Sequence, residues 1–150
     1  MRRVVLLSVC MALISCGSGE NPEAAQAPGE DFEPGKILYP DIETNELFGA
    51  SCAFVPDGGG IAAIALAMEE GGVMKLNGEI TRFAKADSTQ QLGAPLMAFT
   101  GDIYGFSITL DEASARSHGD SATEYDGQLE VRNSEGQGVY KANGLVQCGA

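Results

Sequence analysis

Residues 103–110 read IYGFSITL, and this stretch decides the fold of the chain. From Tyr104 onward, large apolar side chains occupy every second position and alternate with small or hydroxyl-bearing ones. A period of two is typical of a β-strand with one buried face. The apolar positions are Tyr104, Phe106, Ile108 and Leu110. The stretch therefore predicts a strand whose inner face contributes to a core and whose outer face is wet.

Comparable segments lie on both sides of this strand. Residues 125–133 repeat the alternation, and residues 51–55, 138–141 and 145–148 are shorter strand candidates. Turn signals separate the apolar runs at Asp57-Gly58-Gly59-Gly60, Asn77-Gly78, Thr100-Gly101-Asp102, Ser134-Glu135-Gly136 and Asn143-Gly144. Turns at such spacing predict an all-β fold, a small antiparallel barrel or sandwich of about seven to nine strands.

The segment IAAIALAM, residues 61–68, fits two periods. As a helix it groups Ile61, Ile64, Ala65 and Met68, and its alanines favour that state. As a strand it points Ile64, Leu66 and Met68 inward with alanines opposite. Its length and its surroundings favour the strand, which is our prediction.

The Asn77-Gly78 turn also has two interpretations. A two-residue turn places Leu76 opposite Glu79 and mixes polarity on both faces of the hairpin. A three-residue loop with a bulge and a positive φ at Gly78 gathers the apolar residues on one face. We predict the bulged form, with Met74, Leu76 and Ile80 on that face.

The N-terminal residues MRRVVLLSVCMALISC begin with two arginines and continue with an apolar run over residues 4–14. That run is shorter than the roughly 20 residues that a membrane-spanning helix needs, and it is typical of a signal peptide. Leu13-Ile14-Ser15-Cys16 resembles the lipobox of bacterial lipoproteins. The resemblance implies a signal peptide over residues 1–15, cleavage before Cys16, and lipidation of Cys16 that anchors the chain in a lipid bilayer.

The residues around Cys16 refine this prediction. Cys10 is a poorer lipidation site, because the bulky Val9 precedes it. Gly17 follows Cys16, where an Asp would favour retention in the inner membrane, so we expect the outer membrane and a periplasm-facing domain. Ordinary secretion, with Cys16 as a spare thiol, is the alternative.

Residues 16–36 are rich in Gly, Pro, Ala and acidic side chains and contain one aromatic residue, Phe32. Such a segment buries too little apolar surface to offset the entropy of ordering it. We predict a flexible acidic tether with a reach of roughly 25 Å. The β domain is predicted over residues 37–150.

Two cysteines remain after the leader, Cys52 and Cys148. An even pair in an oxidising compartment predicts one disulfide, here between the first and the last strand. Closing a loop of about 97 residues contributes on the order of 4 to 5 kcal/mol in the chain-entropy model. A two-cysteine metal or redox site is the alternative, but the CxxC spacing and a nearby histidine are missing.

The formal charge of the chain is −12, and loss of the two leader arginines takes it to about −14. This charge argues against a nucleic-acid partner and against adhesion to anionic headgroups, because both need Lys and Arg. It suits a basic protein partner or divalent cations. A solvated acidic coat is the simpler explanation of this charge.

The chemistry-bearing residues are few. His118 lies in a stretch with Ser114, Ser121 and Asp120, but a Ser-His-Asp triad needs side chains from separate elements, so we predict a solvated loop. Asp120, Glu124 and Asp126 offer oxygen ligands for calcium. Their spacing matches no EF-hand loop, and we predict no metal, no cofactor and no catalytic residue.

The resulting function class is an envelope lipoprotein with a non-catalytic binding or accessory role. The layout of a leader, Cys52 in the first strand and Cys148 in the last resembles the membrane-bound lysozyme inhibitors. That resemblance implies inhibition of a basic hydrolase by the acidic domain, with Tyr140 as an exposed aromatic for the contact. An envelope enzyme with a carboxylate-based site is the other alternative.

Overall fold

Eight strands pair in chain order and close on themselves in the computed structural model, which describes residues 32–87 and 96–149. The helix α1 (Tyr39–Thr44) precedes the strands β1 (Ser51–Pro56), β2 (Ala65–Met68), β3 (Gly72–Leu76), β4 (Glu79–Lys85), β5 (Leu96–Thr100), β6 (Tyr104–His118), β7 (Ala122–Asn133) and β8 (Gly138–Gly149). Every neighbouring pair is antiparallel, and β8 pairs with β1 to complete the barrel. The predicted all-β fold is therefore confirmed, in its barrel form.

Alternating side chains of the strands fill the barrel interior. Phe106 packs its ring against those of Phe99 and Phe83, at centroid distances of 4.8 and 5.1 Å. No polar or charged side chain is buried among the described residues. Fully covered residues of this core are Phe54, Met74, Ile108, Leu129, Val131 and Val146. These side chains fill the interior as a packed core. Burial of each one contributes about 1.5–3 kcal/mol to the stability of the barrel.

The strand predicted from residues 103–110 begins at Tyr104 and carries its apolar residues inward, with Ile108 opposite Leu129 of β7. It does not end at Leu110. β6 continues to His118, and the register shifts between Asp111 and Arg116, which marks a bulge. The predicted loop around His118 is wrong, because the pairing with β7 carries the strand on to that residue.

β8 runs without interruption through Asn143 and Gly144, where the sequence predicted a turn. Gly144 lies opposite Gly127 of β7 and Pro56 of β1. A Cβ atom at Gly144 would approach the Val55 carbonyl oxygen to 2.2 Å. The glycine therefore serves close packing between strands rather than chain reversal.

Residues 61–68 form a strand only from Ala65 to Met68. Ile64, just before the strand, lies in the barrel core as predicted. Within the strand the sidedness is the reverse of the prediction: Ala65 and Ala67 lie in the core, whereas Leu66 packs on the outside. The reason is that the segment from Ile37 to Leu47 covers the outside of these strands, and we call this segment the outer cover. Ile37 and Leu47, which flank α1, bury the outer face of β2 and β3 in a second cluster with Leu66 and Val73.

The same cover explains the Asn77-Gly78 turn. Leu76 lies opposite Glu79, and both turn residues have positive φ, +51° and +83°. This is a two-residue turn of the type favoured in hairpins, so the predicted bulge is wrong. Ile80 needs no shift of register, because it packs into the outer cluster while Leu76 packs against the core.

Helix α1 is too short to be stable alone, and contacts of the residues in its first turn stabilise it. Pro40 occupies an early helical position, and the Asp41 carboxylate accepts a hydrogen bond from the Leu38 amide at 2.8 Å. The same carboxylate pairs with the Lys75 ammonium at 2.8 Å, which fixes the helix to β3. Among the described residues, no helix is long and apolar enough to cross a membrane.

The two ends of the barrel differ. The entry end is the end at which β1, β3, β5 and β7 finish. There Phe32 packs on Tyr104 with a centroid distance of 4.8 Å, and the Gly35 amide bonds the Lys75 carbonyl. The chain thus contacts the barrel before Ile37, the predicted start of the domain. Residues 1–31, with the predicted signal peptide, Cys16 and most of the tether, lie outside the described residues.

The disulfide end is the opposite end, where β1 begins and β8 finishes. Cys52 and Cys148 lie directly opposite each other in the β1–β8 ladder and are joined by the predicted disulfide. The bond therefore closes the barrel at the seam between its first and last strands.

Candidate functional site

The acidic cleft lies on the outside of the barrel, over β6, β7 and β8. Its volume is about 700 Å³, and it is open to solvent. The polar side chains that line it are Asp57, Thr109, Asp111, Glu112, Asp126, Gln128 and Asn143. No lysine or arginine belongs to its lining. The cleft therefore presents four carboxylates, two amides and one hydroxyl.

The bulge in β6 shapes one wall of the acidic cleft. The Asp111 carboxylate accepts a hydrogen bond from the Ala113 amide at 3.1 Å. The Ser114 hydroxyl donates to the Asp111 carbonyl at 2.6 Å and accepts from the Asp126 amide at 2.7 Å. These local bonds replace the ladder bonds that the bulge interrupts, so the wall is held by the chain itself.

Asp111 and Asp126 lie directly opposite each other across β6 and β7. Like charges in that position destabilise a strand pair. The Arg116 guanidinium, beyond the bulge, compensates with a 2.9 Å contact to Asp126 and a 2.7 Å contact to Glu124. One cation at the rim thus offsets part of the negative charge, and Asp57, Asp111 and Glu112 remain in the cleft.

Hydrogen bonds favour the charged forms of Arg116 and Glu124 at the rim of the acidic cleft. Bonds from the Gln147 amide and from Arg116 lower the pKa of Glu124 below its ordinary value. Bonds to Asp126 and Glu124 raise the pKa of Arg116. Both groups are therefore charged at neutral pH.

The candidate calcium ligands do not converge. Asp120 lies in the turn between β6 and β7, whereas Glu124 and Asp126 lie on β7 and bind Arg116. In residues 32–87 and 96–149 no group of three His, Cys, Asp or Glu side chains is placed to hold a metal ion.

His118 is the last residue of β6 and stays half exposed. Its Nδ1 atom lies 3.5 Å from a Glu124 carboxylate oxygen. The hydroxyl of Ser114 bonds only backbone groups of Asp111 and Asp126 among the contacts described above. These side chains give no nucleophile with an adjacent base, which a triad requires.

Tyr140 does not present an exposed aromatic surface. It packs against the barrel core near the entry end, and its ring lies 6.1 Å from that of Phe32. Burial, with the nearby Glu33 charge, raises the pKa of its hydroxyl. Tyr140 is therefore partly buried and is not the exposed aromatic side chain that the sequence predicted.

The residues that the sequence did not single out are those of the cleft wall, Asp57, Asp111 and Glu112, and the rim residue Arg116. Arg116 pairs with Glu124 across the hairpin, eight residues later in the chain. That pairing follows from the sequence only if residues 114–118 are recognised as strand. Asp57 comes from a distant turn, and its position depends on the closure of β8 onto β1.

Fold and site together define a disulfide-closed, eight-stranded antiparallel barrel with an acidic outer cleft. A scan against protein-family models and searches of curated proteins and solved structures found no match to the chain.

Proposed function

We propose that the protein is a lipid-anchored lipoprotein of the outer membrane whose barrel faces the periplasm and binds a basic protein partner without catalysis. The lipobox at Leu13-Ile14-Ser15-Cys16 supports the anchor, and the negative charge of the chain supports the choice of partner. The acidic cleft is the observation that carries the proposal. It brings four carboxylates from three separate parts of the chain onto one concave surface.

The packed interior supports binding on the outside. A barrel that holds a small ligand needs an internal cavity with polar groups that orient the ligand. Here the fully covered side chains Met74, Ile108 and Leu129 occupy the barrel axis, and no polar side chain is buried among the described residues. The packed interior therefore supports a partner that binds on the outer surface.

The charge of the acidic cleft suits protein recognition. Carboxylates in a concave surface steer basic partners toward it and raise the rate of encounter. Gln128 and Asn143 bond each other at 2.9 Å on the same surface and leave amide groups for hydrogen bonds with a partner. Shape, charge and hydrogen-bonding groups thus coincide at one place.

A carboxylate-based enzyme is a weaker candidate. A carboxylic acid that works as a general acid near neutral pH needs a raised pKa. The pKa of Glu124 is shifted in the opposite direction by Gln147 and Arg116. Glu124, at the rim of the acidic cleft, therefore acts as a fixed charge in our proposal.

Inhibition of a basic lysozyme is the second candidate, and the same acidic cleft favours it. The contact would then run through the carboxylates instead of Tyr140. We therefore choose a basic lysozyme as the probe protein, because its binding tests the first candidate and its residual activity tests the second.

The experiment measures binding of the probe to the wild type and to Asp111→Asn/Glu112→Gln, which removes two charges from the acidic cleft. Exposed charge pairs contribute about 0.2–1 kcal/mol each, so we expect Kd to rise about fivefold, with the effect diminishing as salt is added. The matched control is Glu69→Gln/Glu70→Gln, an exposed acidic doublet in the β2–β3 turn near the disulfide end.

Equal loss of binding in the two double variants would show that only net charge matters and would remove the acidic cleft as the site. Full lysozyme activity at saturating binding would remove the inhibitor alternative and leave the binding role intact.

A further inference from the structure

Large apolar side chains that are more than half exposed are concentrated at one end of the barrel. Among the described residues, five reach that exposure: Leu38, Tyr39, Phe48, Ile61 and Ile103. Ile61 lies in the β1–β2 loop and Ile103 in the β5–β6 loop, and both loops belong to the entry end. Ile61 is 99% exposed, so nothing in the described structure covers it.

Leu38 and Tyr39 belong to the same end. They follow Ile37, whose amide bonds the Ala63 carbonyl in the β1–β2 loop at 2.8 Å. Only Phe48 is at the other end, in a cleft with Met68 and Glu69 of the β2–β3 turn. Four of the five exposed apolar side chains thus surround the entry end.

The entry end is also where the chain arrives from its N-terminal part. Phe32 is fixed there by Tyr104, and Cys16 lies 16 residues earlier. In the flexible tether that the sequence predicts, sixteen residues have a root-mean-square reach of about 22 Å. β8 alone, with 12 residues, extends about 40 Å from the entry end toward the disulfide end. Because this mean reach is shorter than β8, a lipid group on Cys16 keeps the entry end on average nearer the bilayer than the disulfide end.

We propose that the entry end lies against the surface of the bilayer that holds Cys16, with Leu38, Tyr39, Ile61 and Ile103 in contact with lipid. This inference rests on the lipid anchor of the proposed function. The anchor makes the contact intramolecular, and a tether raises the effective concentration to the millimolar range, so individually weak apolar contacts suffice. Tyrosine at the level of the headgroups is a common feature of such surfaces.

The charge of the entry end indicates which class of lipid it contacts. Glu33 and Asp102 are exposed at the entry end, where Lys36 offsets one of the two negative charges. These carboxylates are repelled by anionic headgroups, so the surface fits zwitterionic lipid. The acidic cleft lies over β6–β8 on the side of the barrel, where it stays accessible to a partner while the entry end faces lipid.

The absence of tryptophan from the chain makes the test site-specific. Full-length lipidated protein with a single Ile61→Trp or Ile103→Trp change is placed in phosphatidylcholine vesicles that carry bromine on the upper acyl carbons. We expect each tryptophan to lose more than about half of its emission, because the interface brings the ring close to the bromines. Phe48→Trp is the matched control, an apolar site at the disulfide end whose 60% exposure is close to the 65% of Ile103, and its emission should be unchanged.

The possible outcomes distinguish failure of the lipid anchor from failure of the proposed contact between the entry end and the bilayer. A wild-type chain that carries no fatty acid at Cys16 removes the proposed anchor and this inference with it. A lipidated chain whose three tryptophans are quenched alike, or not at all, overturns the inference alone. Acrylamide quenching of the same variants gives a second measurement, in which Ile61→Trp should be protected by vesicles and Phe48→Trp should not.

Discussion

Reduction of the Cys52–Cys148 disulfide should remove a large share of the stability of the barrel. The bond joins residues separated by 96 positions. In the chain-entropy model a loop of this length constrains the unfolded chain by about 4.7 kcal/mol at room temperature. Folded domains have only about 5–15 kcal/mol in total, so the loss is severe.

The barrel should nevertheless close without the bond. β1 and β8 share six paired positions along the seam, and Phe54 and Val146 bury their side chains beside it. We therefore expect the reduced protein to keep its β content and to unfold more easily. For a domain of about 115 residues, 4.7 kcal/mol corresponds to a decrease of about 20 °C in Tm.

The assay is urea unfolding of three forms: oxidised wild type, reduced wild type, and Cys52→Ala/Cys148→Ala. Reduction isolates the cross-link, because both sulfur atoms remain in place. The double variant also loses packing, since both cysteines contact the core, so it should be no more stable than the reduced wild type. A reduced protein less than about 1 kcal/mol below the oxidised one would refute the entropic reasoning.

Two further predictions concern the strands and the helix. Gly144→Ala should destabilise the barrel by about 3 kcal/mol in urea unfolding, because its Cβ meets the Val55 carbonyl and the strands must shift. Gly138→Ala in the same strand meets only a side-chain oxygen at 3.7 Å and should change stability by less than about 0.5 kcal/mol; equal effects would contradict the packing argument. Hydrogen bonds from Lys75 and from the Leu38 amide lower the pKa of Asp41, so this carboxylate stabilises the fold above its unfolded pKa and loses that effect as the pH falls through its lowered folded value. The wild type should thus exceed Asp41→Asn in urea midpoint at neutral pH and converge with it in acid, and a pH-independent gap would contradict this origin.

The strand at residues 104–110 and the disulfide could be predicted from the sequence because each depends on local information. Alternation indicates a strand with one buried face, and the two cysteines that follow the predicted leader can pair only with each other. The turns at residues 100–102 and 134–136 follow from glycine next to polar residues. These features need no knowledge of what lies on the outside of the barrel.

The orientation of β2 and the type of the Asn77-Gly78 turn depend on the residues that cover the outside of the barrel. Both predictions assumed one wet face, and the chain from Ile37 to Leu47 covers the outer faces of β2 and β3. A polarity pattern cannot show which apolar face meets the barrel when both faces are buried. The cover itself is a short helix whose stability comes from packing and from Asp41, not from a periodic sequence.

The acidic cleft was missed for a different reason. The second half of β6 reads DEASARSH and has no apolar alternation, so the sequence indicated a loop. Pairing with β7, which is itself held by β8, makes it a strand. Asp57 reaches the same surface only after the barrel closes, and closure is a long-range event.

The central claim is that an acidic barrel is held at a membrane through Cys16, and fatty-acid labelling tests it most directly. Cells that express the full chain are grown with radioactive palmitate, and the protein is isolated from the membrane fraction. We expect label in the wild type and in the matched Cys10→Ser control, and neither label nor membrane fractionation in Cys16→Ser. Label that persists in Cys16→Ser, or an unlabelled wild type in the soluble fraction, would contradict the claim.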